Sequence, residues 1–219
     1  MNKTAIILGA TGLTGGLLLE NLLKDKSYSQ IKLFLRKSTG ITHSKIKEYI
    51  GDIVQLNTFE ADFKADEVFC CIGTTKAKTK DQEVYKAIDF GIPMKAAQLA
   101  KQNNIPFLAV VSALGANVSS TVFYNRTKGE MEREVLAQKI EHTYILRPAL
   151  IKGNRTESRF GEKMGSVIFS VLDMLLVGPF KKYQSIRAKA IADAMWKLPN
   201  SDRTESIILS DEIKRISEL

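Results

Sequence analysis

The sequence predicts an α/β fold, a doubly wound parallel sheet with helices on both faces. Strand-like apolar runs alternate with helix-like amphipathic runs along the chain. That alternation builds a parallel sheet, because each crossover between parallel strands runs through a covering helix. The first apolar run ends on a glycine-rich turn that opens a helical pattern. The length of 219 residues, with 44% hydrophobic and 26% charged residues, suits one domain with a sizeable core.

Each element has its own signal. Residues 4–8, Thr-Ala-Ile-Ile-Leu, read as a buried first strand, and 13–24 as the helix after it. A second strand is expected over 31–35, a short third over 48–50, and a fourth, rich in β-formers, over 67–72. Residues 81–102 carry a long helical pattern in which the Ile92-Pro93 step should produce a kink. A fifth strand over 106–111, a charged amphipathic helix over 127–138 and a sixth strand over 143–146 follow. An apolar helix around 168–176, a helix over 190–197 and a short strand over 206–209 complete the pattern. No repeat, low-complexity stretch or Gly/Ser/Pro-rich linker divides the chain, so residues 1–219 are expected to form one domain. Its C-terminal part, 152–219, is expected to cover the substrate side at the sheet's carboxyl edge.

Composition narrows the function classes. The net charge of +8 favours anionic partners such as phosphates. The basic residues are spread along the chain, and neither Lys76-Ala77-Lys78-Thr79-Lys80 nor Lys181-Lys182 carries interleaved aromatics, so no nucleic-acid partner is expected. The apolar run 167–177 is broken by Asp173 and is shorter than the ~20 residues of a spanning helix. No membrane partner is therefore expected. Met1-Asn2-Lys3 runs straight into the first strand with no signal-peptide pattern, which points to the cytoplasm. Cys70 and Cys71 are adjacent in a strand-like run and should face opposite ways as small buried hydrophobes. His43 and His142 stand apart from any cysteine or carboxylate cluster, so no metal site is expected.

Three motifs carry chemistry. In the first, Gly9-Ala10-Thr11-Gly12-Leu13-Thr14-Gly15, with Gly16 following, joins the first strand to the first helix. Glycines allow a tight turn and a close approach of backbone to a pyrophosphate, and the helix N-terminus offers free N–H donors. This context marks a Rossmann-type dinucleotide site, with Gly9, Thr11, Gly12, Leu13, Thr14 and Gly15 as its cradle. In the second, Arg36-Lys37 follows the second strand, where folds that prefer NAD place an acidic residue on the ribose 2′-hydroxyl. A guanidinium can clasp a 2′-phosphate, so NADP(H) is preferred and NAD(H) is the alternative. Asp52, with Ile53, follows the third strand and could meet the adenine, although an ordinary turn aspartate accounts for it equally well.

The third motif is Tyr124-Asn125-Arg126-Thr127-Lys128, preceded by Ser112 at a strand end. Four residues apart on a helix, the phenol and ammonium share a face. The positive charge should lower the phenol's pKa from about 10 towards neutrality, and the serine hydroxyl could donate to a substrate oxygen.

With these motifs the chain resembles the short-chain dehydrogenases/reductases, in the atypical branch of the Tat-interacting-protein oxidoreductases. The resemblance covers most of the chain. It rests on Gly9–Gly16, Cys70-Cys71-Ile72-Gly73-Thr74-Thr75, Val111-Ser112, Ser119-Ser120, Tyr124-Asn125-Arg126-Thr127-Lys128, Leu146-Arg147-Pro148 and Glu157-Ser158-Arg159. It implies Tyr124 as general acid/base, Lys128 as the group that binds the nicotinamide ribose and tunes that tyrosine, and Ser112 as polariser of the substrate carbonyl. It further implies that Cys71, Gly73 and Thr74 line the cofactor after the fourth strand and that Pro148 to Leu150 flank the nicotinamide. Asp89 departs from the family pattern, standing where many members have an asparagine that supports a water relay. Arg155 and Arg159 could meet an anionic substrate group, or form a solvated polar loop.

The function expected is an NADP(H)-dependent oxidoreductase that transfers hydride to a carbonyl-like small molecule, as a monomer or homodimer. A sensor that binds the cofactor without turnover is the alternative from another class. Nucleotide-sugar epimerisation is a third, disfavoured by the short segment after Pro148.

Overall fold

The structure is a computed structural model, which describes residues 2–75, 78–152, 176 and 178–219. Seven parallel strands form the main sheet: β1 (Lys3–Leu8), β2 (Tyr28–Leu35), β3 (Ile46–Ile50), β4 (Glu67–Cys70), β5 (Phe107–Val111), β6 (His142–Arg147) and β9 (Ile207–Leu209). Their order is β3-β2-β1-β4-β5-β6-β9. In register, Leu8 of β1 pairs with Phe34 on one side and Cys70 on the other. Strand order reverses between β1 and β4, and a crevice forms beyond the carboxyl ends at such a reversal. Two short strands, β7 (Ile151–Lys152) and β8 (Ile186–Arg187), pair separately after β6.

Side-chain alternation sorts the buried residues into two cores. Ala5, Ile7, Phe69, Ala109, Tyr144 and Leu146 face α1 (Leu13–Lys24), α5 (Ala188–Lys197) and α6 (Ser210–Glu218). Ile6, Leu8, Val68, Cys70, Leu108, Val110 and Ile145 face a 3-10 segment (Ile53–Phe59), α3 (Ile92–Gln102) and α4 (Phe123–Ala137). Strands buried on both faces read as continuous apolar runs, as these do. Cys70 belongs to one core and Cys71 packs against the other, the opposed orientation expected for adjacent strand residues.

Several boundaries differ from the expectation. β4 ends at Cys70, and the chain leaves the sheet at Cys71. The pattern over 81–102 resolves into α2 (Gln82–Lys86), a π-helical turn (Ala87–Gly91) and α3, with Pro93 in the first turn of α3. Pro93 has no N–H to give the carbonyl four residues back, and its ring would crowd that carbonyl, so the wider turn takes up the mismatch. α4 begins at Phe123, earlier than expected, which puts Tyr124 inside its first turn. The 3-10 segment and α6 carry no expectation from sequence.

The C-terminal part divides in two. From Ala188 onward it supplies a strand of the main sheet and two helices, α5 packed beside α1 and α6 packed on α5. The expected apolar helix around 168–176 lies mainly outside the described residues, as do Arg155 and Arg159.

Candidate dinucleotide and proton-transfer site

The glycine turn is shaped by close approaches. Gly9 has φ +88°, and a Cβ there would stand 3.0 Å from the Cys71 backbone. At Gly15 a Cβ would fall 2.2 Å from the Gly9 carbonyl oxygen, so only glycine lets α1 pack this near β1. The turn is closed by Gly12 N–H donating to Gly9 O at 2.9 Å and Gly16 N–H to Gly12 O at 2.8 Å. Gly12 is the N-cap, no side chain caps the helix, and its first turn holds no acidic residue. The helix thus keeps its N-terminal donors and the positive end of its dipole for an anion. Thr11 and Gly12 are exposed there, with Leu13 and Thr14 half-buried behind them. These residues fit a pyrophosphate.

Arg36 and Lys37 leave the carboxyl end of β2 exposed, with no ion pair among the described residues. Asp52 is exposed after β3, and its Oδ1 accepts from Val54 N–H at 3.0 Å, capping the 3-10 segment. The Ile53 side chain belongs to the core. Only its backbone is left to face a ligand.

Across the crevice, Cys71 N–H donates to Leu8 O at 2.9 Å, so the chain after β4 runs beside the glycine turn. Gly73 and Thr74 follow. Thr74 N–H donates to Asp89 Oδ2 at 2.7 Å, and the other oxygen, Oδ1, lies 2.9 Å from Lys128 Nζ. Asp89 stands in the π-helical turn, and both charged side chains are buried. Burial disfavours the Lys128 charge, but the Asp89 carboxylate and the Tyr124 phenol more than offset it and hold its pKa above the ordinary value.

Tyr124 lies one turn before Lys128, is 40% exposed, and meets the buried Tyr85 ring edge-on at 6.4 Å. Burial of the phenol raises its pKa above 10.0; Lys128 pulls it down, and Asp89 pushes it up. Lys128 therefore does not bring the phenol towards neutrality as expected, because burial outweighs its pull and Asp89 opposes part of that pull.

Ser112 is placed otherwise than expected. It is buried, and its hydroxyl donates to Glu132 Oε1. Glu132, one turn beyond Lys128 on α4, also accepts from Arg147 Nε at 3.0 and 3.1 Å through its two oxygens. The one proton that Ser112 could offer a substrate is engaged in this cluster. Ser112 N–H donates to Leu146 O at 2.7 Å and Leu114 N–H to Pro148 O at 3.0 Å, so the loops after β5 and β6 run side by side. Pro148 is buried, while Leu150 is exposed, with its carbonyl accepting from Ile186 N–H at 2.9 Å.

Sequence reasoning missed Tyr85, Glu132 and Arg147. Two of them had a signal in spacing: Tyr85 is four residues before Asp89 and Glu132 four after Lys128, each one helical turn away.

Residues 9–172 match the model of a family described as NAD(P)H-binding. The chain belongs to that NAD(P)H-binding family. Protein HTATIP2 of Rattus norvegicus is 31% identical over 78% of this chain and 72% of its own, in line with the resemblance the motifs carry. Protein FMP52, mitochondrial, of Meyerozyma guilliermondii is 30% identical over 98% of this chain and 95% of its own. Among solved structures, the Bordetella bronchiseptica enzyme WbmH in complex with NAD+ superposes with a TM-score of 0.71 at 16% identity, over 100% of this chain and 80% of that one. A UDP-N-acetylglucosamine 4-epimerase from Methanobrevibacter ruminantium gives 0.71 at 16% identity, over 99% and 80%. These likenesses show a shared Rossmann-type fold. No helix among the described residues is long and apolar enough to cross a membrane.

Proposed function

We propose that this member of the NAD(P)H-binding family is an NADP(H)-dependent oxidoreductase of the short-chain dehydrogenase/reductase type, acting on a carbonyl-like small molecule. The observation that carries the proposal is Tyr124 in the first turn of α4, one turn from a buried Lys128 that Asp89 ties to the chain after β4. The glycine turn and α1 hold the pyrophosphate, and Arg36 with Lys37 hold a 2′-phosphate. When bound, the reduced nicotinamide supplies the hydride. Tyr124 gives its phenolic proton to the substrate oxygen, and the phenolate regains a proton from solvent. Lys128 orients the ribose while Asp89 fixes the lysine.

The test is NADPH oxidation against aldehydes, ketones and quinones, with cofactor binding measured in parallel. Tyr124→Phe should keep binding and lose about 10²–10⁴-fold in turnover. Full turnover by that variant refutes the assigned acid. One observation favours the alternative of a cofactor sensor without turnover: Ser112 is engaged with Glu132 rather than held open for a carbonyl. A parent that binds NADPH and turns over none of the panel supports the sensor. The proposed compartment is the cytoplasm, which suits two free cysteines. Since several relatives are named mitochondrial, fractionation of cells decides between the two.

A further inference from the structure

We propose that Asp89 is a positioning residue that, by pairing with Lys128, weakens the ammonium's pull on the Tyr124 phenol and so keeps that phenol in its protonated, proton-giving form. The inference rests on the reading of Tyr124 as the acid and adds a direction to it: the site favours carbonyl reduction over alcohol oxidation at neutral pH.

The geometry carries the argument. An ammonium one helical turn from a phenol stabilises phenolate, the form needed to remove a proton from an alcohol. Here the ammonium has a carboxylate oxygen 2.9 Å away, and the lysine and aspartate side chains are only 4% and 1% exposed. Seen from the phenol, such a pair is close to a neutral dipole, whose field falls off faster than that of a lone charge. The aspartate is itself fixed, because Thr74 N–H holds its other oxygen at 2.7 Å and the π-helical turn sets its backbone. An asparagine at this position could accept the same Thr74 N–H bond without supplying the charge.

Other groups packed around the phenol leave this balance in place. Tyr85 on α2 is buried and its phenol is pushed above its ordinary range by that burial, so it is neutral. Cys70, from β4, is held at about 11 by burial and is a neutral thiol near pH 7. Lys86 on α2 is paired with Glu130 on α4 at 3.1 Å. Glu132 has its charge matched by Arg147. Among the described residues, Asp89 is thus the carboxylate that opposes Lys128 next to Tyr124.

The experiment follows the titration of Tyr124 itself, in the full-length protein with tyrosine ring carbons labelled for NMR. Tyr124→Phe identifies the resonance. Asp89→Asn should lower the Tyr124 midpoint by about 1–2 pH units, the size expected from an uncompensated neighbouring charge. The double variant Asp89→Asn with Lys128→Met removes both charges and should bring the midpoint back towards the parent. It also serves as the folded reference if the single variant, with a buried unpaired ammonium, does not fold. In that case Lys128→Met alone, which leaves the carboxylate unopposed, should raise the midpoint. An unchanged or raised midpoint in Asp89→Asn, or an unchanged one in Lys128→Met, overturns the proposal. If the parent turns over substrate, Asp89→Asn should also raise the ratio of oxidative to reductive kcat, and an unaltered ratio counts against it. Since the titration needs no turnover, a protein without activity would defeat the enzymatic reading while leaving the electrostatic claim decided.

Discussion

At the scale of single residues, the glycine turn separates two demands that the sequence presents together. A Cβ at Gly12 would meet only the Gly9 oxygen, at 3.2 Å, whereas one at Gly15 would run into it at 2.2 Å. Gly12→Val should therefore leave the melting temperature within a few degrees of the parent and abolish NADPH binding by calorimetry. Gly15→Ala should instead destabilise the fold by about 1–3 kcal/mol in urea titrations, because α1 must move away from β1. At the carboxyl end of β2, Arg36→Asp should reverse or erase a preference for NADPH over NADH. Equal affinities in the parent would remove the 2′-phosphate assignment. The motif spacing made Gly9, Tyr124 and Lys128 legible in the sequence. What Lys128 touches was not legible, since Asp89 reaches it only once the π-helical turn and α4 have packed together.

At the scale of elements, α4 is a bracket as much as a carrier of chemistry. Glu132 accepts the Ser112 hydroxyl hydrogen bond and binds the Arg147 guanidinium, tying α4 to the ends of β5 and β6. Glu132→Ala should cost roughly 2–3 kcal/mol in urea denaturation, below the usual range for a broken buried pair because Arg147 keeps a quarter of its side chain in water. Ser112→Ala separates the two roles open to this serine. A structural hydroxyl predicts about 1 kcal/mol of lost stability with turnover preserved, and a carbonyl polariser predicts a fall in kcat of at least about tenfold. The alternation of apolar runs revealed α1 and the strands of the sheet, because residues buried on both faces leave a continuous signal. The start of α4 was obscured because its first turn, from Phe123, precedes the charged pattern that marks the helix from 127. α6 was obscured because its short amphipathic face, Ile213 and Ile216, gains its meaning only against α5.

At the scale of the whole molecule, buried acids with raised pKa values make stability depend on alkaline pH. Cys70 shifts from 9.0 to about 11 through burial, and burial also pushes Cys71, Tyr28 and Tyr85 upward. A group that holds its proton more tightly when folded leaves stability intact below its unfolded pKa, and that stability is lost as pH rises through the folded value. The melting temperature should therefore not respond to these groups below about pH 9 and should fall as pH rises above it, with the Cys70 share lost by about pH 11. Cys70→Ala should flatten that fall, even if it lowers the starting value; a slope identical to the parent's would exclude the thiol as its source. The packing of α5 beside α1 bears on how the molecule is made. A ribosome delivers the cofactor cradle early, but α5, the helix that packs beside α1, comes more than 160 residues later. At typical synthesis rates the side of α1 that packs on α5 waits on the order of ten seconds or more for its partner. Dinucleotide added during synthesis should therefore do little to protect the newborn chain from protease before α5 has emerged.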